Sequence, residues 1–502
     1  MIIDQCAWRA ALSPQRPALH FGGRWYSQAE LAARAGQLAG ALAAQGVGPG
    51  DRVGILAHNH IAHIDLINAA ARLGCIYTPF NTRLPAAEQA GLMADIAPAL
   101  LLHDAEHAGT ARGGTAPRLS LDDYPDFLAE APPLEAPTAP RPEDTAMILF
   151  TGGSTGQPKG AMLPYRQMFY NTVNTCLGWA VGAEDCVIQC TPAFHAALNA
   201  LATPLLAAGG RVVMQRSFDP GEYLALVEEH RATLMFMVPT MFQMLAEHPD
   251  FARRDLSSVR WAISGGAPCP GPVREAFVAR GIRFKQGYGM TEAGVNCFAI
   301  DLDAAAERPQ SVGVPMPHAR AVIRSPDGQP VAQGEVGELT LAGPHVFSGY
   351  WKNPAATAEA LRDGWLWTGD LARQDEKGYF AITGRRKEMF ISGGENVYPV
   401  EIENALYAVP EVAECAVLGV PHPRWGEVGL AAVVLRPGAA LSAEDLQARL
   451  KAQLAGYKRP REWLFLDALP KSGAGKILKP VLRARWEATR DTARDTHTTV
   501  AC

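Results

Sequence analysis

Leu149-Phe150-Thr151-Gly152-Gly153-Ser154-Thr155-Gly156-Gln157-Pro158-Lys159-Gly160 follows directly on the apolar run Ala146-Met147-Ile148. Four glycines, three hydroxyl side chains and one lysine after a buried-strand pattern suit a turn that wraps backbone N–H groups and hydroxyls around a polyphosphate. The pattern is not G-x-x-x-x-G-K-[ST], because Gln157-Pro158 separates Gly156 from Lys159. Nor does the chain read as helical at that lysine, so this is not an anion site at a helix N-terminus. A Gly/Ser/Thr cluster alone is more often an ordinary surface loop. The Pro-Lys-Gly ending sets this one apart.

Working outward, the bulk properties exclude several classes. A chain of 502 residues holds about two to four folding units. Apolar residues are 48% and charged residues 19%, enough for large cores. The net charge of −5 and the lack of a long basic run argue against a nucleic-acid protein, and Gly384-Arg385-Arg386-Lys387 is too short to change that. No apolar stretch reaches the roughly 18 residues that span a bilayer. The N-terminus lacks the layout of a signal peptide. Nine cysteines without a C-x-x-C pair read as reduced cytoplasmic thiols, and no partner pair makes a zinc site of Cys186 and Cys190.

Residues 28–46 have helical spacing, Asp51 to Leu56 reads as a strand, Ile61 to Leu73 as a helix and Cys75 to Pro79 as a strand. This alternation predicts a layered α/β core with mostly parallel sheets. Residues 131–144, with five prolines, read as a linker over the surface. Arg211–Met214, Leu234–Val238 and Val259–Ser264 read as buried strands, the last ending in Gly265-Gly266. Exits of this kind bind ligands in open α/β sheets. Beyond about residue 386 short helix and strand units suggest a small α+β domain. The tail 489–502, rich in Thr, Arg and Asp, is expected to be disordered.

Four further segments carry chemistry. Gln286-Gly287-Tyr288-Gly289-Met290-Thr291-Glu292 combines a flat ring for a purine with oxygens for phosphate and Mg²⁺. In Trp367-Thr368-Gly369-Asp370 the carboxylate suits two ribose hydroxyls. Arg385 precedes Ser392-Gly393-Gly394-Glu395, where paired glycines admit a narrow ligand. Pro470-Lys471-Ser472-Gly473-Ala474-Gly475-Lys476 puts a lysine on a glycine-rich loop, which in isolation is an ordinary solvated loop.

Together, in this order, these segments resemble the adenylate-forming superfamily in its acyl-CoA synthetase branch, across about residues 10 to 485. The resemblance implies an α/β fold, with a large N-terminal multi-sheet domain (1–385) and a small mobile α+β lid (386–488). It implies an AMP-forming acid–CoA ligase acting through an acyl-adenylate, with ATP, Mg²⁺ and coenzyme A. Thr151, Gly152, Gly153, Ser154, Thr155, Gly156 and Lys159 would hold the phosphates. Gly265, Gly266, Ala267 and the segment Gln286, Gly287, Tyr288, Gly289, Met290, Thr291 would line the nucleotide, with Glu292 on Mg²⁺. Asp370 and Arg385 would hold the ribose, and Lys476 would bridge the attacking carboxylate and the α-phosphate. Lys387 would be the hinge, and Gly393, Gly394, Trp425, Tyr457 and Arg459 would face CoA. His195, Ala196, Met237, Gly266 and Gly294 would form the acyl pocket. Their small or apolar character points to an uncharged tail, aliphatic or aromatic. A carrier protein as thiol acceptor and an inactive AMP-binding protein are the alternatives, and a homodimer is compatible with the chain. The family's histidine after the phosphate loop is Tyr165 here, and the glycines usual after His195 are alanines.

Overall fold

The alternation of strand and helix from Gln28 onward becomes three large sheets and one small one in the computed structural model, which describes residues 1, 3–130, 132–134, 137–152, 158–471 and 477–498, with the backbone path alone for 491–498. Local signals set the helix ends. Ser27 and Glu30 form a reciprocal capping box at the start of Gln28–Ala44, and Gly74, at φ 77°, ends Ile61–Leu73 in the left-handed region.

The first sheet has seven strands. In spatial order they are Arg283–Gln286, Trp261–Ser264, Leu234–Met237, Cys186–Gln189, Arg211–Met214, Pro17–Phe21 and Arg24–Ser27. All pairings but the last are parallel. The second sheet runs Gly349–Tyr350, Lys159–Pro164, Thr145–Thr151, Ile76–Pro79, Arg52–Leu56, Leu100–His103 and Arg118–Ser120. It is parallel from Thr145–Thr151 onward and antiparallel at the hairpin Thr145–Thr151/Lys159–Pro164. Strands buried on both faces read as unbroken apolar runs, which is why these segments were legible. The third sheet is antiparallel and carries Trp365–Gln374 beside Phe380–Arg385.

Beyond Arg385 the small sheet is built on the long pair Val412–His422 and Gly426–Leu435. Alternating residues put one core on each of its faces. Phe390, Ile402 and Val417 lie in one, and Leu418, Leu482 and Trp486 in the other.

Two sequence expectations need correction. The proline-rich linker is docked rather than draped: Leu134 N–H donates to Gly36 O, and a Cβ on Gly40 would sit 2.0 Å from Pro132 O. The tail expected to be disordered from 489 continues as the helix Lys479–Thr498, anchored by buried Leu482 and Trp486. Residues 499–502 lie outside the described residues. No helix among the described residues is long and apolar enough to cross a membrane.

Candidate functional site

The glycine-rich segment closes a hairpin in which Thr151 pairs with Lys159 and Phe150 with Gly160. Gly160 is glycine for packing, since a Cβ there would meet Ile148 at 2.9 Å and Trp351 at 3.3 Å. Gly153, Ser154, Thr155 and Gly156, like Lys476, lie outside the described residues. At the hairpin's end, Thr151 Oγ1 donates to Glu292 Oε1 at 3.3 Å.

Glu292 sits on the short turn Thr291–Ala293 and is almost fully buried. Tyr350 OH donates to the same Oε1 at 2.9 Å, and Lys159 Nζ lies 5.3 Å from the centroid of the Tyr350 ring. Burial first, and then the Glu292 charge, raises the Tyr350 phenol above its ordinary range, so it stays a donor. Both hydroxyls thus converge on Oε1. The turn itself folds back tightly. Val295 N–H donates to Met290 O, Cys297 N–H donates to Tyr288 O, and a Cβ on Gly289 would fall 1.3 Å from Val295 O. Only glycine fits at 289. Gln167 Nε2 donates to Thr291 O at 2.9 Å from the buried polar face of the helix Tyr165–Gly178.

Asp370 and Arg385 face each other across neighbouring strands, with Arg385 Nε 3.3 Å from Asp370 Oδ1. Tyr288 OH donates to Asp370 Oδ2 at 2.7 Å, and its ring packs edge-on against Phe298. Burial and the neighbouring carboxylate raise the Tyr288 phenol, keeping it protonated. Glu338, buried and not anticipated from sequence, accepts from Gly369 N–H at 3.0 Å and pairs with Arg386 at 3.4 Å. Glu388, two residues on, pairs with Lys479 at 2.7 Å, which also reaches Glu403 at 3.3 Å. Arg385 and Arg386 are therefore tied to the third sheet and Glu388 to the small domain, with exposed Lys387 between them.

The first sheet's strand exits lie side by side. Gln286 spends its amide on them, donating to Ser264 O, Ala267 O and Gly287 O and accepting from Cys269 N–H, so it braces the Gly265–Cys269 loop. Gly266 takes φ +83°. Met237, expected in the acyl pocket, has no exposed surface and packs in the core on one face of the sheet. Side chains alternate along a strand, so Phe236 points to the opposite face, half-buried, against the position a Cβ of Gly265 would take (3.1 Å). Phe236, not Met237, lies on the side of the His195 segment, whose neighbours Ala193 and Leu198 share its cluster. His195 is exposed and caps the turn Ala196–Asn199 through Nδ1, while Ala196 is buried. Gly294, at φ +76°, lies against His345 and Asn171.

In the small domain Trp425 covers Gly393: Gly393 N–H donates to Trp425 O, and a Cβ would meet the indole at 2.6 Å. The guanidiniums over that indole are Arg461, at 4.7 Å, and Arg424, at 5.6 Å, not Arg459. Tyr457 packs with the core on the other face of the sheet, so the structure does not gather Trp425 and Tyr457 into one cluster. Gly394 is exposed at φ +90°.

Comparison with known proteins matches this geometry to a family. The sequence model of the AMP-binding enzymes matches residues 6–351, and that of the AMP-binding enzyme C-terminal domain matches 401–476. The chain is 44% identical over 480 residues to a feruloyl-CoA synthase from Amycolatopsis sp, covering 95% of this chain and 97% of that protein. ATP-bound MatB from Rhodopseudomonas palustris superposes with a TM-score of 0.89 at 33% identity, over 97% of this chain and 99% of that one. The o-succinylbenzoate CoA synthetase MenE from Bacillus subtilis, solved with its acyl-adenylate intermediate OSB-AMP, gives 0.87 at 30% identity, over 95% and 97%.

Proposed function

The chain belongs to the AMP-binding, adenylate-forming enzymes, and on that premise we propose that it joins an uncharged aromatic acid of the hydroxycinnamate class to coenzyme A. It is an AMP-forming acid–CoA ligase that uses ATP, Mg²⁺ and CoA and acts through an acyl-adenylate. The substrate class is our reading. The observation that carries it is the wall at the three adjacent strand exits, where Phe236, Val238, Gly265, Gly266, Ala267, Gly287 and Tyr288 bring no charge. Gly265 lies against the Phe236 ring, where a Cβ would meet it at 3.1 Å, so the strand exit is bordered by an aromatic face on which a planar ring can stack. The similarity to a feruloyl-CoA synthase supports the same choice.

For the chemistry we assign roles to this chain's own groups. Lys159, Thr151, Ser154 and Thr155 hold the terminal phosphates, and Thr291 holds the α-phosphate. Asp370, oriented by Tyr288 and balanced by Arg385, accepts the ribose hydroxyls. Glu292 and its hydroxyl neighbours form an oxygen-only donor set that fits a hard divalent cation. Mg²⁺ held there would neutralise charge on the polyphosphate. Lys476 supplies the charge that offsets what the α-phosphate develops as the carboxylate attacks. The small domain then turns about Lys387, since the ion pairs on either side fix its neighbours to different bodies. The eight described cysteines are free, which accords with a cytoplasmic setting.

The test is pyrophosphate release and thioester mass over hydroxycinnamates, benzoates and C2–C16 fatty acids, with and without CoA. Thioester formation fastest with a hydroxycinnamate is the expected result. Preference for an aliphatic acid overturns the substrate class, and pyrophosphate without thioester points to a carrier protein.

A further inference from the structure

Away from the nucleotide site, two neighbouring parallel strands, Arg52–Leu56 and Leu100–His103, release their carboxyl ends at the same edge of the second sheet. His58 follows the first and Asp104 the second, while His107 closes the turn Ala105–His107. Asp104 is buried and organises all three. Its Oδ2 accepts from the backbone N–H of His58 at 3.0 Å, and its Oδ1 from that of His107 at 3.1 Å. The His107 ring nitrogen Nδ1 lies 2.5 Å from Asp104 Oδ1, and His58 Nε2 lies 3.0 Å from Glu106 Oε2. The two imidazoles are 5.2 Å apart between centroids.

We propose that His58, Asp104 and His107 form a binding site for a borderline-soft divalent cation of the zinc type, with Glu106 as the outer ligand. One donor atom from each of the three lies within 4.8 Å of the others. A tetrahedral site with bonds near 2.0–2.1 Å has edges of about 3.3 Å, so small side-chain rotations close this set around an ion. His58 and Asp104 line a surface cavity of about 170 Å³ whose wall also carries Glu106, Asp122 and Arg216. Around it, three carboxylates (Asp104, Glu106, Asp122) outnumber one guanidinium, so the cavity favours a cation. Two imidazoles select zinc, cobalt or nickel over Mg²⁺, a poor match for nitrogen donors. The magnesium of the ligase reaction is therefore no competitor.

Arg216 is the internal competitor. It pairs with Glu106 and comes within 3.9 Å of Asp104 Oδ2, so an entering ion must share both carboxylates with it. The site also sits one residue from a brace of the acyl pocket. Asn59 donates to Thr191 O and Gln215 O and accepts from Ala193 N–H, fixing the segment that leads into His195. An ion at His58 would hold that brace in place.

Zn²⁺ titrated calorimetrically into the dialysed full-length protein, with and without excess Mg²⁺, tests the site, with Co²⁺ as a visible probe. The expected result is one equivalent, unaffected by Mg²⁺, with a Co²⁺ spectrum of nitrogen and oxygen ligands. His58→Ala and His107→Ala, both at half-buried positions, should each weaken binding about tenfold or more, and Arg216→Gln should tighten it. Binding unchanged in both histidine variants, sulfur-to-cobalt charge-transfer bands, or no stoichiometric uptake would each overturn the proposal.

Discussion

Replacing Tyr350 by Phe removes one hydroxyl and nothing else from the centre of the site. In the wild type that hydroxyl donates to Glu292 Oε1 at 2.9 Å, while the ring lies under Lys159 Nζ at 5.3 Å. A hydrogen bond to a charged group contributes about 1.5–3 kcal/mol to stability, and the longer Thr151 contact at 3.3 Å remains on the same oxygen. The lower end is therefore expected, about 1.5 kcal/mol. The effect on MgATP is smaller, because the bond exists before and after nucleotide binds. What is lost is the fixing of one rotamer-rich side chain, worth about 0.5–1.5 kcal/mol, or about two- to twelvefold in kcat/KM for MgATP. Tyr350→Leu also removes the ring and should cost a further factor of about two to five through the lost cation–π contact. Thermal unfolding reads the stability loss, and pyrophosphate release at varied MgATP, with acid and CoA saturating, reads the kinetic one. If Tyr350→Phe lowers stability but leaves kcat/KM for MgATP untouched, the phenol is a packing group and the orienting role fails. Equal loss in the constants for acid and CoA would refute it as well.

Lys476→Ala should abolish acid-dependent pyrophosphate release, by about 10²–10³ or more, yet still turn supplied acyl-AMP into thioester; equal loss of both half-reactions would end the alternating-lid reading. Lys387→Pro fixes φ between two anchored bodies and should slow thioester formation more than adenylation, which single-turnover assays of each half-reaction would check. Arg34→Met leaves Asp65 buried with only the Tyr124 hydroxyl, costing about 3–5 kcal/mol in denaturant unfolding, whereas Arg24→Ala, at an exposed pair and over the Tyr26 ring, should cost no more than about 1 kcal/mol. Burial holds His63 and His345 neutral, with pKa lowered from 6.5 to about 3 and about 4. The unfolded chain then binds more protons below pH 6.5, so stability falls as pH drops from 6.5 toward 4, by up to about 1.4 kcal/mol per pH unit for each histidine; calorimetric midpoints that stay flat over that window would contradict this.

Much of the fold was legible because its central strands are buried on both faces. Arg211–Met214 and Leu234–Met237 stand out as apolar runs whatever their neighbours. The same property leaves the facing of Met237 open. An unbroken apolar run does not reveal which face of the sheet each alternate side chain takes, and the packing puts Met237 in one core and Phe236 against the other. Tyr350 and Glu338 were missed for another reason. Each is one residue without a pattern, brought to its partner across 58 and 31 positions of sequence by the fold. The tail from 489 was misread because its polar composition does not show that it continues a helix anchored just upstream by Leu482 and Trp486, one helical turn apart and both buried on the lid sheet.

The ion pairs around Lys387 make the strongest case for a mobile lid, because they divide the chain at one residue. Buried Glu338 holds Arg386, and Lys479 holds Glu388 from the lid side. Lys479 keeps its proton despite burial because Glu403 and Glu388 face it, and Glu388 in turn is held below the usual carboxylate range by that cation. A rotation at Arg386 or at Glu388 would leave a buried or half-buried charge uncompensated, which costs several kcal/mol. A rotation at exposed Lys387 breaks neither pair. In the proposed lid rotation a turn at Lys387 would therefore keep both ion pairs and release only the Glu388 and Met389 N–H bonds to Arg385 O, while the long charged side chain stays in solvent.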